Sequence, residues 1–412
     1  MEILYRSCCG LDVHAQTVVA CLIKEGQKSV RTFSTMTDDL LGLLDWLTAE
    51  GCTHVAIEST GVYWKPVFNI LEGDMAVILV NARHVKAVPG RKTDVKDCEW
   101  LADLLRHGLL KASFIPPLEI RELRELTRYR QTLVREQASV ANRVQRIIES
   151  GNIKLAQVAT DALGVSGRQM LRALAKGESD ATKLAELARG RLRGKKHELR
   201  RALQGRLTAA QRFVLGELLD HYDELEAAIL RVTEQIKQEV AEGADPFVRE
   251  AMKLLQTIPG VGERVAEAIV SEIGVDMGRF ASDAHLASWA GMCPGNNESA
   301  GKRKSGKTTK GNIHLRTALT QAAWAATHTK QTYLAAQYRR LVKPKGKKRA
   351  LVAVGHSLLI IAYHLLARRA SYQELGGDYF ERRNVEVQRT RLIRKLEALG
   401  VKVTIEALPV AA

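Results

Sequence analysis

Acidic residues are missing from one long stretch of this sequence. Residues 299–373 contain no Asp or Glu but 16 Lys and Arg. The chain has a formal net charge of +16, so the other 337 residues balance, with 46 basic and 46 acidic side chains. The excess positive charge is therefore local. A surface of this kind attracts a polyanion and releases counterions from the phosphates it neutralises, whereas solubility alone requires no such exclusion of acids.

Zinc-binding and export signals are also missing. Six cysteines occur, at positions 8, 9, 21, 52, 98 and 293. They form no C-x-x-C pair and have no His at metal-ligand spacing, so we expect reduced thiols and no zinc site. The N-terminus lacks a basic segment followed by a long apolar core, so no signal peptide is expected. The longest apolar run, 351–367, is short for a membrane span and contains His356 and His364, which favours a buried helix.

The first 115 residues have the pattern of an α/β domain. Strands are predicted at 3–13, 17–24, 29–34, 54–58 and 76–80, and helices at 38–49, 62–71 and 94–107. Three early strands followed by alternating helices and strands is the order expected of an RNase H-like sheet. Pro116 and Pro117 end this unit.

Two heptad patterns follow, within a helical region predicted over 116–245. The first consists of Leu126, Leu133, Val140 and Ile147, with Leu123 and Val144 at companion positions, and the second of Leu218, Tyr222, Leu225, Ile229, Val232 and Ile236. This spacing predicts a coiled coil, formed either as an antiparallel hairpin in one chain or between two chains. The basic cluster 189–196 between them is a solvated loop or a nucleic-acid contact.

A third, mainly α-helical region is predicted over 246–412. Residues 254–274 resemble a helix–hairpin–helix, with the turn Pro259-Gly260-Val261-Gly262 opening a helix. Amides at such a turn hold a phosphate of the DNA backbone without reading bases.

Four carboxylates of the first domain form a candidate metal site. Asp12 ends the first strand, Glu58 ends the fourth, and Asp94 and Asp97 lie three residues apart at the start of a helix. The first and fourth strands of an RNase H-like sheet are neighbours, so Asp12 and Glu58 are expected to converge near that helix. Clustered carboxylates repel one another unless a cation neutralises them, which indicates divalent metal. Two Mg²⁺ ions roughly 4 Å apart would stabilise the attacking and leaving oxygens at a phosphate.

Each of these acids also has a purely structural interpretation. Asp94 and Asp97 could favour a helix N-terminus, and Asp12 could be a turn residue. Glu58, which closes an apolar run, would be poorly placed in a purely structural strand. Glu99 and Asp103 lie on the same helix as Asp97 and leave the identity of the fourth ligand open.

Four motifs, in order, resemble the DEDD transposases of bacterial insertion sequences. They are G-L-D-V-H at 10–14, A-I-E-S-T-G-V-Y-W at 56–64, G-R-K-T-D-V-K-D-C-E-W-L-A at 90–102, and P-G-N-N-E-S-A-G-K-R-K-S-G-K-T-T-K-G-N-I-H-L-R at 294–316. Those proteins are bridge-RNA-guided recombinases with a RuvC-like first domain and a serine-bearing C-terminal transposase domain. The resemblance covers essentially the whole chain. It implies a RuvC-like metal domain over 1–115, a coiled-coil and nucleic-acid region over 116–245, and a transposase domain over 246–412.

The resemblance also implies roles for particular residues. Asp12, Glu58, Asp94 and Asp97 would bind Mg²⁺, with Mn²⁺ as a substitute, and Ser299 would be the nucleophile that joins covalently to DNA. Many relatives have Gly directly after this Ser, whereas Ala300 intervenes here, so Ser305 is a competing candidate. The residues expected to contact nucleic acid are Gly260, Gly262, Lys302, Arg303, Lys304, Lys307, Lys310 and Arg316. The implied partners are donor and target DNA, a guide RNA and further copies of the chain, as a dimer or tetramer, with no membrane.

Three functions compete at this stage. The first is a site-specific recombinase that forms a 5′-phosphoserine intermediate under RNA guidance, in the bacterial cytoplasm and at the nucleoid when active. The second is a RuvC-type, Mg²⁺-dependent strand or junction nuclease with no covalent intermediate. The third is a binding module without catalysis, which would keep its whole function if Asp12 and Glu58 were neutralised.

Overall fold

The chain forms two compact units, Met1–Ile115 and Pro116–Ala412. A computed structural model describes residues 2–59, 61–81, 97–243, 245–295, 297–299, 302–382 and 385–404. Each unit has its own buried core. The region boundary predicted near residue 246 falls inside the second unit and stays a prediction.

The first unit is an α/β domain built on a mixed five-stranded sheet. Its strands are β1 (Ser7–Val13), β2 (Thr17–Lys24), β3 (Gln27–Ser34), β4 (His54–Glu58) and β5 (Ala76–Val80). Its described helices are α1 (Thr37–Ala49), α2 (Trp64–Leu71) and α3 (Asp97–Arg106). Three strands have the predicted bounds, whereas β1 begins at Ser7 instead of residue 3, and β3 begins two residues before the prediction.

The strand order is β3-β2-β1-β4-β5. Strands β1 to β3 are antiparallel neighbours, β4 is parallel to β1, and β5 is parallel to β4. Lys24 pairs with Gln27, so the β2–β3 turn consists only of Glu25 and Gly26, with φ of 49° and 92°. Two positive φ angles match the twist of a two-residue hairpin. The parallel pairs instead need helical crossovers, which α1 and α2 supply.

Helices cover both faces of this sheet. Alternate residues of a strand point to opposite faces, and β1 shows both sets. Cys9 and Leu11 share a core with residues of α1 and α2, whereas Cys8 packs with Cys98 and Leu105 of α3. Helix α3 therefore packs directly on β1, the central strand of the sheet.

The second unit is mostly helical. Its described helices are α4 (Leu118–Ser150), α5 (Leu155–Val158), α6 (Val165–Ala175), α7 (Ala181–Glu186), α8 (Lys196–Ala202), α9 (Ala209–Glu242), α10 (Pro246–Gln256), α11 (Glu263–Ile273), α12 (Asp283–Trp289), α13 (Ile313–Thr327), α14 (Tyr333–Lys345), α15 (Lys347–Arg368), α16 (Tyr379–Arg382) and α17 (Val385–Glu397). Short 3₁₀ helices cover Gly190–Lys195 and Met277–Arg279, and the strands are β6 (Asn297–Ser299) and β7 (Lys302–Ser305).

The two helices that carry the heptads pack against each other within one chain. Leu133 and Val140 of α4 share a buried cluster with Leu225 and Ile229 of α9. At the far end, the Gln211 side chain donates a hydrogen bond to Oγ of Ser150, 3.0 Å away. The start of α9 therefore meets the end of α4, and the pair is an antiparallel hairpin. The sequence left this arrangement and a pairing between chains equally open.

The buried stripe of α4 drifts away from the strict heptad. Leu126 and Ile147 are only half-buried, and their neighbours Thr127 and Ile148 are buried instead. Thr127 is buried against Ser271 of α11, and Ile148 belongs to the core formed with the helices that connect α4 to α9, so both ends of the stripe face partners besides α9.

The basic cluster 189–196 is helical from Gly190 onward, which corrects the loop interpretation. A 3₁₀ helix covers Gly190–Lys195, and α8 begins at Lys196. Lys196 and Arg200 both form ion pairs with Glu186 of α7. Part of the charge in this region is therefore neutralised inside the unit.

The apolar run 351–367 lies in α15, as predicted. This helix is long and apolar enough, by length and composition, to cross a membrane. Leu358, Leu359 and Ala362 are nonetheless buried against neighbouring helices of the second unit. The packing is that of a core helix.

Candidate active site

Asp12 and Glu58 occupy neighbouring positions at one edge of the sheet. In the parallel β1–β4 pair, the last residues in register are Leu11 and Ile57, which directly precede Asp12 and Glu58. Both strands end here, so these carboxylates are positioned by adjacent strand ends. Both side chains are half-buried. The predicted neighbour relation between the first and fourth strands is confirmed.

Gly10 brings α3 and Asp97 towards the same edge. A Cβ atom on Gly10 would lie 2.3 Å from the carbonyl oxygen of Cys98 and 2.5 Å from the amide nitrogen of Ala102. Only glycine permits this approach of helix to strand. Burial first, and then the negative charge of Asp12, raises the pKa of the Cys98 thiol. Asp12 therefore lies near the first turn of α3, where Asp97 is the first described residue.

Asp97 is exposed, and Asp94 lies outside the described residues. Glu99 forms an ion pair with Lys28 at 3.2 Å, and Oδ1 of Asp103 lies 3.8 Å from Nδ1 of His107. Both alternatives for the fourth ligand thus have partners elsewhere. Within the described ranges, no group of three or more His, Cys, Asp and Glu side chains lies close enough to hold a metal ion.

His14 is a neighbour of Asp12 that the sequence analysis did not single out. Its Nε2 lies 3.2 Å from Oδ2 of Asp12. His14 follows Asp12 by two residues, so both project from the same side of the extended chain. The motif G-L-D-V-H already contained this signal.

Ser299 lies at the end of a β-hairpin in the second unit. The strands β6 and β7 are antiparallel, with Ser299 opposite Lys302 and Asn297 opposite Ser305. An isolated bridge between Pro294 and Thr308 extends the pairing away from Ser299. The two candidate serines are therefore at opposite ends of the ladder: Ser299 at its tip and Ser305 towards its base.

Two glycines close the base of this hairpin. Gly291 has a φ of 68°, and a Cβ atom on it would lie 2.6 Å from the amide nitrogen of Gly311. A Cβ atom on Gly311 would lie 2.3 Å from the carbonyl carbon of Ala290. We call this contact the glycine neck. It fixes both ends of the segment 292–310, which carries Ser299 and most of the predicted cationic contacts.

The predicted cationic contacts differ in their surroundings. Lys307 and Lys310 are exposed beside the hairpin. Lys302, Arg303 and Lys304 are successive residues of strand β7. Arg316, at the start of α13, donates to Oγ1 of Thr308 at 3.3 Å. Arg316 therefore supports the hairpin base in this structure, and its contact with nucleic acid stays a prediction.

Gly260 and Gly262 join α10 to α11 and have different surroundings. Gly260 has a φ of 88°, and a Cβ atom on it would lie 2.4 Å from the carbonyl oxygen of Ala322 in α13. The requirement for glycine here comes from helix packing within the unit. Gly262 is exposed, and nothing lies within 4 Å of its Cβ position. The phosphate contacts of Gly260 and Gly262 stay predictions. Glu263 in the first turn of α11 opposes an anion there.

A buried ion-pair network, absent from the sequence analysis, ties α4 to the hairpin base. Glu272 of α11 is bound by Arg128 through two hydrogen bonds of 2.7 and 2.8 Å, and Arg124 approaches it to 3.4 Å. Asn312 donates to the same carboxylate at 2.6 Å. Burial raises the pKa of Glu272, but Arg128 and then Arg124 and Asn312 more than offset it, so the net pKa lies below the ordinary value.

Comparison with known proteins identifies the class. A model of DEDD transposases matches residues 9–152, which include Asp12, Glu58, Asp94 and Asp97. A second model, described as transposases of the IS116/IS110/IS902 family, matches residues 252–339, which include Ser299. The protein is a transposase, an enzyme that acts on DNA. The chain belongs to the IS110 family of insertion-sequence transposases.

Two curated relatives resemble the chain over almost its full length. They are the pilin gene-inverting proteins of Moraxella bovis and Moraxella lacunata, each 23% identical over 379 residues. The alignments cover 89% of this chain and 97% of each relative. The similarity to these gene-inverting proteins therefore extends over both units of the chain.

Proposed function

We propose that this transposase cuts and rejoins donor and target DNA through a covalent bond to Ser299. The observation that carries the proposal is the placement of Ser299 at the tip of the β6–β7 hairpin, opposite Lys302 and directly after Glu298, where the acid-free stretch begins. A tip position gives a DNA strand access, and the cations of β7 can stabilise the extra charge on a phosphate in transit.

The reaction consists of two exchanges at one phosphorus atom. Oγ of Ser299 loses its proton and attacks a backbone phosphate, forming a Ser–O–P bond. The P–O3′ bond breaks, and its electron pair leaves with the 3′ oxygen, which takes up a proton. The 5′ end stays on the protein as a phosphoserine ester. A 3′-hydroxyl of another strand then attacks the same phosphorus, joins the strands and restores the serine.

We further propose that Asp12, Glu58, Asp94 and Asp97 form a magnesium site on an RNase H-like sheet. The strand order β3-β2-β1-β4-β5 and the adjacency of Asp12 and Glu58 support this interpretation. Carboxylate oxygens are the donors that Mg²⁺ prefers, so the described residues fit the ion. When bound, Mg²⁺ would stabilise negative charge on phosphate oxygens. Calorimetric titration with Mg²⁺ tests the site, because Asp12→Asn/Glu58→Gln should lose the binding that Asp45→Asn retains.

Guidance by a structured RNA is the remaining part of the proposal. It rests on the resemblance to RNA-guided recombinases and on the acid-free basic stretch, which attracts RNA and DNA alike. Reactions with and without the RNA of the element separate this part from the chemistry. A target choice that changes with the RNA sequence supports guidance, whereas an unchanged choice contradicts it.

The covalent bond is tested on denaturing gels. Purified protein is incubated with the RNA, donor DNA, target DNA and Mg²⁺, and DNA-linked protein is measured. The adduct should disappear in Ser299→Ala and persist in Ser305→Ala, which changes the same residue type at the other end of the ladder. An adduct that persists in Ser299→Ala contradicts the proposal.

The adjacent carboxylates Asp12 and Glu58 also favour a second candidate, a metal-dependent nuclease. That function predicts free DNA ends, no adduct at any time, and full activity in Ser299→Ala. Cleavage with these three features would replace the serine recombinase.

A further inference from the structure

A second basic surface joins α14 to α15, within the acid-free stretch 299–373 but beyond the individual residues named above as nucleic-acid contacts. It consists of seven exposed side chains, which we call the basic elbow: Arg339, Arg340, Lys343, Lys345, Lys347, Lys348 and Arg349. Arg340 lies over the ring of Phe380, 4.2 Å from its centroid. Within the part of the chain that the structure describes, none of the seven forms an ion pair with a carboxylate.

Lys343 and Lys345 lie in the last turn of α14, where the helix dipole favours cations, but the other end of the elbow does not stabilise its own helix. Lys347, Lys348 and Arg349 form the first turn of α15, where the helix dipole disfavours cations. That turn contains no acidic residue, and no side chain caps its amides. A solubilising surface normally intersperses both signs of charge. Three cations against the dipole, with no counter-charge, are better explained by an external anion.

Helix α15 connects the elbow to the glycine neck. A Cβ atom on Gly355 would lie 2.8 Å from Cε of Met292, the residue after Gly291. With a rise of 1.5 Å per residue, Lys347 lies about 12 Å along the helix axis from Gly355. One turn of duplex DNA spans about 34 Å. Along the axis of α15, the elbow and the glycine neck at the hairpin base are thus separated by less than one turn of duplex.

We propose that the basic elbow binds the phosphate backbone of duplex DNA beside the strand that the Ser299 hairpin engages. The DNA partner follows from the family, and the position beside the cleaved strand rests on the proposed function. The elbow offers charged ends without base-reading geometry, so it holds the duplex without specifying its sequence.

The test is the salt dependence of DNA binding in Lys347→Ala/Lys348→Ala/Arg349→Ala. Each lost phosphate contact reduces the slope of log affinity against log salt by about 0.9, so the triple variant should lose up to about 3 units of slope. The loss should be equal for duplexes of unrelated sequence. The seven side chains are exposed, so circular dichroism and the thermal midpoint should match the parent protein.

The matched control removes the same charge from the same unit. Lys154, Lys183 and Lys237 form ion pairs with Glu149, Glu178 and Glu234. Their triple alanine variant should retain the parent slope. An unchanged slope in the elbow variant, or an equal loss in the control, overturns the proposal. A loss confined to structured RNA overturns it as well, because the elbow is then an RNA surface.

Binding is measured in the Ser299→Ala background, which separates the elbow from the covalent chemistry. If Ser299→Ala still forms the adduct, the proposed nucleophile is wrong. The slope of log affinity against log salt then still tests whether the elbow binds DNA. If the adduct requires Ser299 and the slope is unchanged, only the elbow proposal fails.

Discussion

Asn312 and Glu272 are joined by a hydrogen bond of 2.6 Å from Nδ2 to Oε2, across 40 residues of sequence. The other end of the Asn312 amide caps α13, since its Oδ1 accepts from the amides of His314 and Leu315. Asn312 directly follows Gly311 of the glycine neck. One side chain therefore links the base of the Ser299 hairpin to the ion pairs between α11 and α4.

Glu272→Gln should strongly reduce the stability of the protein. The substitution removes the counter-charge of Arg124, which is 16% exposed, and of Arg128, which is 39% exposed. Breaking a fully buried pair costs about 3–5 kcal/mol, and we expect a loss at the lower end because water still reaches Arg128. The free energy of unfolding, from urea titration, measures the effect. Glu186→Gln is the control, because Glu186 pairs with Lys196 and Arg200 on the surface, and no measurable loss is expected. Equal losses in both variants would show that burial is not the cause.

The same carboxylate makes stability depend on pH in the acid range. The pKa of Glu272 is below its ordinary value of 4.5 in the folded protein. Its contribution is therefore complete above that ordinary value and is lost as the pH falls through the folded pKa. The difference in unfolding free energy between parent and Glu272→Gln should be constant from pH 7 to about 5 and shrink below about 4.5. A difference that stays constant down to pH 3 contradicts the assignment.

Gly10→Ala should separate α3 from the sheet. The new Cβ atom would meet backbone atoms of Cys98 and Ala102 at 2.3 and 2.5 Å, which a side-chain rotation cannot relieve. We expect a large loss of stability and of Mg²⁺ binding, measured by thermal melting and calorimetry. Gly42→Ala in α1 is the control, since nothing lies within 4 Å of its Cβ position, and it should stabilise the helix by about 0.5–1 kcal/mol. If Gly10→Ala binds Mg²⁺ as the parent does, the close approach does not organise the site.

The cysteines should resist thiol reagents in the folded protein. Cys8, Cys9, Cys21, Cys52 and Cys98 are buried, and Cys293 is half-buried. Burial raises the pKa of Cys8 to about 11 and that of Cys21 to about 12, so little thiolate forms at neutral pH. Labelling with iodoacetamide at pH 7 should modify Cys293 at most, and all six after denaturation. Rapid labelling of several cysteines in the native state would contradict this packing.

The sequence predicts the first unit better than the second for a physical reason. Strands β2, β4 and β5 are short apolar runs between turns, so local pattern determines their bounds. The neighbouring positions of Asp12 and Glu58 follow from the strand order alone. The close contact of α3 with Gly10 could not be predicted in the same way, because glycine also occurs in many turns and does not by itself indicate helix packing.

The buried network shows what local patterns miss. Arg124 and Arg128 are spaced like exposed charges on a helix, and their partner Glu272 lies 148 and 144 residues away in the chain. Nothing near either residue in sequence distinguishes a buried pair from a surface one. The choice between an antiparallel α4–α9 hairpin and a pairing of two chains is likewise set by the helices 155–202 that connect them, whose packing has no simple period.

The glycine neck has a consequence for the evolution of this enzyme. Because Gly291 and Gly311 hold the two ends of the segment together, its length can change without moving the helices on either side. Insertions and deletions between these glycines are expected to be tolerated by the fold, as they are in loops with closely spaced ends. The length of the segment and the fold of the helical body are thus separable, while the chemistry proposed for Ser299 and the cations of β7 constrains which residues the segment can carry.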